Sequence, residues 1–315
     1  MRLSIASGAL NSGASNPKLV GRTIPLAAGG LSLGRVTFQK GVSSGGDGYL
    51  GMDVLSKMAV GFEIGRRTVT LFPRGALSPD AAVNWISEVA PAPDVPVPPV
   101  VSIPLSYDAF KRPTVNLTRG VRSYRSLVTT YLFETYFAED PVPTNYRFTL
   151  QADCQLGPLY LPWVMSFPEP RLADGLRRAQ KAAIISMDNF CSARVLFDFA
   201  GGRIYVSDTA PDVKLGDFLS HKSRAFFQIF GPQLRIAYYQ YRGTALDGAA
   251  RLRVKSIAGA STPQILANLR AKDDRAAEWL TNFFQKLRSS YKIVGVATDG
   301  RTRTFTMPAA PKEDQ

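Results

Sequence analysis

The chain repeats itself. Met52 and Met187, Asp53 and Asp188, Val60 and Val195, and Phe62 and Phe197 pair at one constant offset of 135 residues. Leu71 and Val206 keep that offset without a gap. Self-similarity at a fixed spacing constrains architecture before any local assignment, because one structural unit must be built twice. In the first copy the stretch reads Gly48-Tyr49-Leu50-Gly51-Met52-Asp53-Val54-Leu55, then Val60-Gly61-Phe62-Glu63-Ile64 and Thr68-Val69-Thr70-Leu71. In the second it reads Ala183-Ile184-Ile185-Ser186-Met187-Asp188-Asn189-Phe190, then Val195-Leu196-Phe197-Asp198-Phe199 and Arg203-Ile204-Tyr205-Val206. The pattern predicts a helical turn over 52–57 and strands over 59–64 and 68–72, joined at Gly65-Arg66-Arg67. Alternation assigns Val60, Phe62, Val69, Leu71, Val195, Phe197, Ile204 and Val206 to the core. Glu63, Thr70, Arg203 and Tyr205 then face outward.

At these residues the chain resembles the C-terminal half of a retropepsin-like aspartic protease domain. The step of two apolar residues and a glycine, Tyr49-Leu50-Gly51, is similar to the segment that threads beside the catalytic loop in that family. Ile184-Ile185-Ser186 takes that place in the second copy, with serine for glycine. The resemblance implies a mainly β protein with two retropepsin-like barrel units in tandem. Gly51, Met52, Asp53, Met187 and Asp188 form the family's turn motif, and the two aspartates read as capping carboxylates there.

The duplication extends backwards. A strand is expected over 21–26, and residues 30–38 read as a hairpin turning at Leu33-Gly34. Its counterpart is Cys154 to Val164, which shares the Leu-Gly turn at Leu156-Gly157. Ser78-Pro79-Asp80 opens a helix to about residue 89, since serine accepts at an N-cap and proline is tolerated at the first helical position. Residues 90–99, with five prolines, form an extended linker.

The family's chemistry needs two facing carboxylates that share one proton. In the second copy, aligning Leu127-Val128 on the apolar strand puts Thr129 at the aspartate position of Asp-Thr-Gly, Thr130 on its threonine and Tyr131 on its glycine. A threonine hydroxyl cannot act as the base, and tyrosine cannot make the close approach that glycine allows. The first copy offers no aspartate before Asp47. It has either lost the motif or depends on sequence upstream. Asp208-Thr209-Ala210 is the nearest approach to the motif, but it follows the last strand of the second copy and reads as a turn.

The third part, 211–310, is expected to be a small α+β domain. Strands are predicted over 234–241, 251–257, 291–297 and 303–307, with helices over 262–269 and 274–287. Val254-Lys255-Ser256-Ile257-Ala258-Gly259 and the closing hairpin at Thr298-Asp299-Gly300 resemble a degenerate PDZ domain, without its usual Gly-Asp. That resemblance implies a peptide-carboxylate loop near Phe230 and Gly231, where Pro232 removes one backbone donor.

The net charge is +13, and residues 207–315 hold 17 basic against 10 acidic side chains. No nucleic-acid motif and no block of five like charges accompany it, so the charge reads as scattered surface residues and no nucleic-acid partner is expected. Two cysteines, Cys154 and Cys191, with one histidine, His221, offer no metal-ligand spacing. Buried thiols and a surface histidine are expected, with no metal and no cofactor. No transmembrane run and no secretory signal are read in these residues; a start further upstream would imply a periplasmic or secreted protein.

The expected organisation is a first aspartic-protease-like unit over 1–77, a helix and linker over 78–100, a second unit over 101–210 and the α+β domain over 211–310. The function implied is a catalytically degenerate, aspartic-peptidase-like protein that binds peptide or protein segments. Two alternatives stay open. One is an active endopeptidase whose carboxylates come from an upstream segment or a second chain, and the other is a basic interaction module without a peptide groove.

Overall fold

The computed structural model describes residues 5–6, 11–12, 23–28, 31–37, 39–40, 48–63, 68–88, 98–109, 111–129, 135–138, 148–167, 170–178, 183–190, 194–223, 225–238, 240–241, 244–245 and 252–309. The protein is mainly β. It forms two compact units: residues 1–138, 155–160 and 174–208 make the first, and residues 139–154, 161–173 and 209–315 the second. The matched stretches 52–71 and 187–206 both lie in the first unit.

Its principal elements are β1 (Ile5–Ala6), β2 (Thr23–Ala28), β3 (Leu31–Thr37), β4 (Gly48–Gly51), β5 (Met58–Glu63) and β6 (Thr68–Pro73). Then come α1 (Pro79–Ser87), β7 (Val100–Pro104), β8 (Pro113–Arg119) and β9 (Arg122–Val128). The hairpin β10 (Thr149–Leu156) and β11 (Leu159–Ser166) follows, with only its tip in this unit. β12 (Ala183–Ile185), β13 (Arg194–Asp198) and β14 (Arg203–Ser207) complete it.

The repeat is visible in one five-stranded sheet, whose order is β6-β5-β13-β14-β7. β5 and β13 are equivalent strands and pair with each other antiparallel. Gly61 lies opposite Leu196, and the pairs Val60↔Phe197 and Phe62↔Val195 flank it. Shifting every partner by 135 returns the same set of pairs, so a local two-fold passes through Gly61 and Leu196. Met52 and Met187 are both buried and both begin a helical turn, an α-turn at Met52–Leu55 and a 3-10 turn at Met187–Phe190.

The symmetry is broken at the edges, and the core assignment changes with it. Val195, Phe197, Ile204 and Val206 are fully buried as expected, and Val60 is 2% exposed. Val69, however, is 40% exposed, and Leu71 and Phe62 are half-buried. The cause is strand position: β14 is covered by β7, whereas its counterpart β6 is the open edge of the sheet. Tyr205 is buried rather than outward, because α1 packs Ala82 and Ile86 against Ala59, Leu196 and Tyr205 on the sheet's other face.

Helix α1 starts as its sequence requires: the Ser78 side chain accepts from the Ala81 N–H at 3.1 Å, and Pro79 occupies the first turn. Its Trp85 lies on Gly61. A Cβ at Gly61 would meet the indole at 2.6 Å, so only glycine admits this approach. The predicted Leu33-Gly34 turn is not one. β3 is a single strand paired with β2, and Leu33-Gly34 forms a bulge opposite Leu26 and Ala27. The Leu156-Gly157 step, by contrast, does turn a hairpin, with Gly157 at φ +58°. The linker 90–97, the Gly65-Arg66-Arg67 turn and Cys191 lie outside the described residues. Cys154 is fully buried, its thiol directed at the Ala152 carbonyl.

The second unit continues with α2 (Pro211–Ser223), β15 (Phe226–Phe230), β16 (Gln233–Tyr238), β17 (Arg253–Ile257), α3 (Thr262–Arg270), α4 (Asp274–Lys286), β18 (Tyr291–Val296) and β19 (Thr302–Met307). The sheet order is β15-β16-β17-β18-β19, all antiparallel. One face packs Leu234, Ile236, Val254 and Ile293 against the apolar faces of α2, α3 and α4. Phe148, Leu150, Trp163 and Met165 complete that core, and the Trp163 indole N–H donates to the Leu269 carbonyl at 2.7 Å. Caps fix both later helices: Ser261 accepts from Gln264 N, and Asp273 from Ala276 N.

Candidate functional site

The site singled out by the sequence lies where strands far apart in the chain run side by side. β9 and β12 pair in parallel, with Leu127 opposite Ile184 and Val128 opposite Ile185. The Thr129 N–H then donates to the Ile185 carbonyl at 2.9 Å. Parallel neighbours need a long connection between them, and residues 129–182 supply it.

The crossing is sealed by a buried polar knot. Thr135 Oγ1 accepts from the Ser186 N–H at 3.2 Å, and the Thr135 and Ser186 hydroxyls lie 3.2 Å apart. The Asn189 amide donates to Ser186 Oγ at 2.9 Å, to Ser186 O at 3.3 Å and to Thr135 Oγ1. Thr135 and Ser186 are fully buried and Asn189 is 8% exposed. Burial without partners would cost each group about 1–3 kcal/mol, and the knot removes that cost. Ser186, the offset partner of Gly51, is thus a structural hydroxyl at the centre of the crossing.

The first copy makes the same crossing. β1 and β4 pair in parallel, Ile5 opposite Leu50 and Ala6 opposite Gly51. Leu50 and Gly51 are the offset partners of Ile185 and Ser186, so Ile5 corresponds to Val128 and Ala6 to Thr129. Ala6, in the run Ile5-Ala6-Ser7-Gly8, is therefore the register counterpart of Thr129 in the first copy.

Neither position supplies a carboxylate. Ala6 has no proton to exchange, and Thr129 offers only a hydroxyl. Thr130 and Tyr131 lie outside the described residues, as do the side chains of Asp53 and Asp188. Asp208 follows β14, its N–H donating to the Pro99 carbonyl at 2.6 Å, and so lies at the end of the five-stranded sheet and not at the β9/β12 crossing. Among the described residues no three His, Cys, Asp or Glu side chains cluster to hold a metal.

The shifted titratable groups sit elsewhere. Burial, helped by the Asp198 charge, pushes the Tyr107 phenol up to about 12, while its hydroxyl donates to the Phe199 carbonyl. Burial alone pushes Asp217 of α2 up to about 7. His221 is exposed, with Nδ1 2.8 Å from the Asp217 carbonyl.

The other predicted loop, at Phe230 and Gly231, is the tight turn between β15 and β16. The Gly231 carbonyl accepts from Arg270 at 2.7 Å, and Arg270 also grips the Asp212 carboxylate with two nitrogens. No helix among the described residues is long and apolar enough to cross a membrane. No family model, no curated protein and no solved structure matches this chain.

Proposed function

We propose that the chain is an aspartic-peptidase-like protein that keeps a duplicated scaffold, lacks the catalytic carboxylates, and holds peptide or protein segments in extended form. The observation that supports this most is the pair of parallel crossings at matching registers, entered at Ala6 in one copy and Thr129 in the other. In a protease of this type two aspartates would face each other there and share a proton. Without them the water has no base, and extended-peptide binding would rest on backbone hydrogen bonds alone. Fold and activity are separable, and losing two side chains removes the second without the first.

The test is fluorescence anisotropy of a fluorescein-labelled, unfolded casein fragment titrated with the full chain. Binding is expected, with displacement by pepstatin as an extended peptide mimic. Thr129→Trp, which puts a large side chain at the end of β9, should weaken binding by about tenfold, a change of about 1.4 kcal/mol. No binding, or binding indifferent to both pepstatin and Thr129→Trp, would overturn the proposal.

A further inference from the structure

The sheet of the second unit has one face under α2, α3 and α4 and one face open. Strand alternation puts Leu234, Ile236, Val254 and Ile293 inward. The opposite side exposes Phe226, Phe230, Arg235, Arg253, Lys255 and Lys292. One row crosses all five strands in register: Gln228, Arg235, Arg253, Val296 and Thr302.

Two features of this face ask for a ligand. Arg235 and Arg253 are direct cross-strand partners, an arrangement that destabilises a sheet unless an anion lies between the charges. None of Arg235, Arg253, Lys255 and Lys292 forms an ion pair with a carboxylate among the described residues. Instead Arg235 lies over the Phe230 ring at 5.6 Å and donates to Gln233. The two arginines also line a hollow of about 480 Å³ with Val296, Ala297, Thr298 and Gly300.

Phe226 and Phe230 are 41% and 49% exposed on the edge strand β15. They are four residues apart on one face, so their rings stand about 13 Å from each other along the strand. Counting residues scatters the +7 of this region over its length; the fold gathers four cations and two phenyl rings onto one surface.

We propose that this open face binds single-stranded nucleic acid. Phosphates would lie along the Arg235–Arg253 row and the two lysines, and unpaired bases would stack on Phe226 and Phe230. Cations alone would suit any polyanion. The exposed rings favour a ligand with flat aromatic groups of its own, since every base has a π-face and stacking tolerates any sequence. A duplex hides its bases and would lose that contribution. This departs from the expectation of no nucleic-acid partner, which rested on the absence of a nucleic-acid motif and of any block of five like charges.

The experiment is anisotropy of fluorescein-labelled oligo(dT) titrated with the full chain across a salt series. Four phosphate contacts predict a log–log salt slope of about −3, and Arg235→Ser/Arg253→Ser should bring it to about −1.5 with at least a tenfold loss of affinity. Phe230→Ser should weaken binding about fivefold or more. Arg275→Ser/Lys286→Ser, which removes equal charge from exposed positions on α4, should leave affinity unchanged. All these positions are exposed, and thermal midpoints check that each variant is folded. Absence of binding by the wild type, or an equal loss in the α4 control, would overturn the proposal. So would retention on phosphatidylserine–phosphatidylcholine vesicles that exceeds oligo(dT) binding and ignores Phe230→Ser.

Discussion

Arg194→Met should be among the most damaging single substitutions in the first unit. Arg194 stands on β13 directly opposite Glu63 of β5, at the seam where the two copies meet. Its Nη2 and Nε lie 3.2 and 3.3 Å from Glu63 Oε2, with the side chains only 11% and 13% exposed. The guanidinium also stacks 4.7 Å from the Trp85 ring centroid and donates to the Trp85 carbonyl. Glu88, 66% exposed, adds little. Breaking a buried pair costs about 3–5 kcal/mol, and for this nearly buried one about 2 kcal/mol is reasonable. The cation–π contact and the main-chain hydrogen bond add about 1 kcal/mol each. Methionine regains about 1 kcal/mol by packing on Trp85.

The net expectation is a loss of about 3 kcal/mol, or roughly a hundredfold in the folding constant. Urea unfolding followed by fluorescence reads it, with Trp85 as the only tryptophan of this unit. A double-mutant cycle with Glu63→Gln should return a coupling of about 1.5 kcal/mol. A loss under about 1 kcal/mol, with coupling near zero, would refute the view that this pair clamps the copies together.

Three further outcomes follow from the packing. Gly61→Ala drives a methyl group into the Trp85 indole and should cost about 1–3 kcal/mol in urea unfolding, with a changed Trp85 emission; a neutral result would show that α1 does not sit on β5. Ser186→Ala leaves Asn189 and Thr135 short of a partner and should cost about 1–2 kcal/mol, measured the same way, and an unchanged midpoint would remove the polar knot from the account. Asp217 has its folded pKa raised from 3.8 to about 7, so the unfolded chain ionises first and stability falls as pH rises between those values. Asp217→Asn should therefore match the wild type at pH 4 and exceed it at pH 8, and a variant that is weaker at pH 8 would reverse the sign.

Much of this fold was legible because its strongest signals are local and doubled. The Met-Asp turns and the strands after them were found from the offset alone, and the helix at Pro79 from Ser78 and its proline. What sequence could not show was which strand of each pair would be covered. Val69 and Ile204 hold equivalent places in the repeat, yet only Ile204 has β7 beside its strand. Helix α2 escaped because Gly216, a poor helix former, sits at its centre. That glycine lets β15 approach, since a Cβ there would stand 3.0 Å from the Phe227 carbonyl. Ala6 escaped because nothing in its own residue type marks it as the counterpart of Thr129. Only the register of β1 against β4 identifies its place.

Peptidase activity tests the central claim most directly. The purified chain is incubated with unfolded casein from pH 3 to pH 7, with and without pepstatin, beside an Asp208→Ala variant. With Ala6 and Thr129 at the two crossings, no fragments should appear at any pH, and the variant should behave identically. Pepstatin-sensitive cleavage by the wild type would contradict the account, and its loss in Asp208→Ala would move the chemistry to the end of β14.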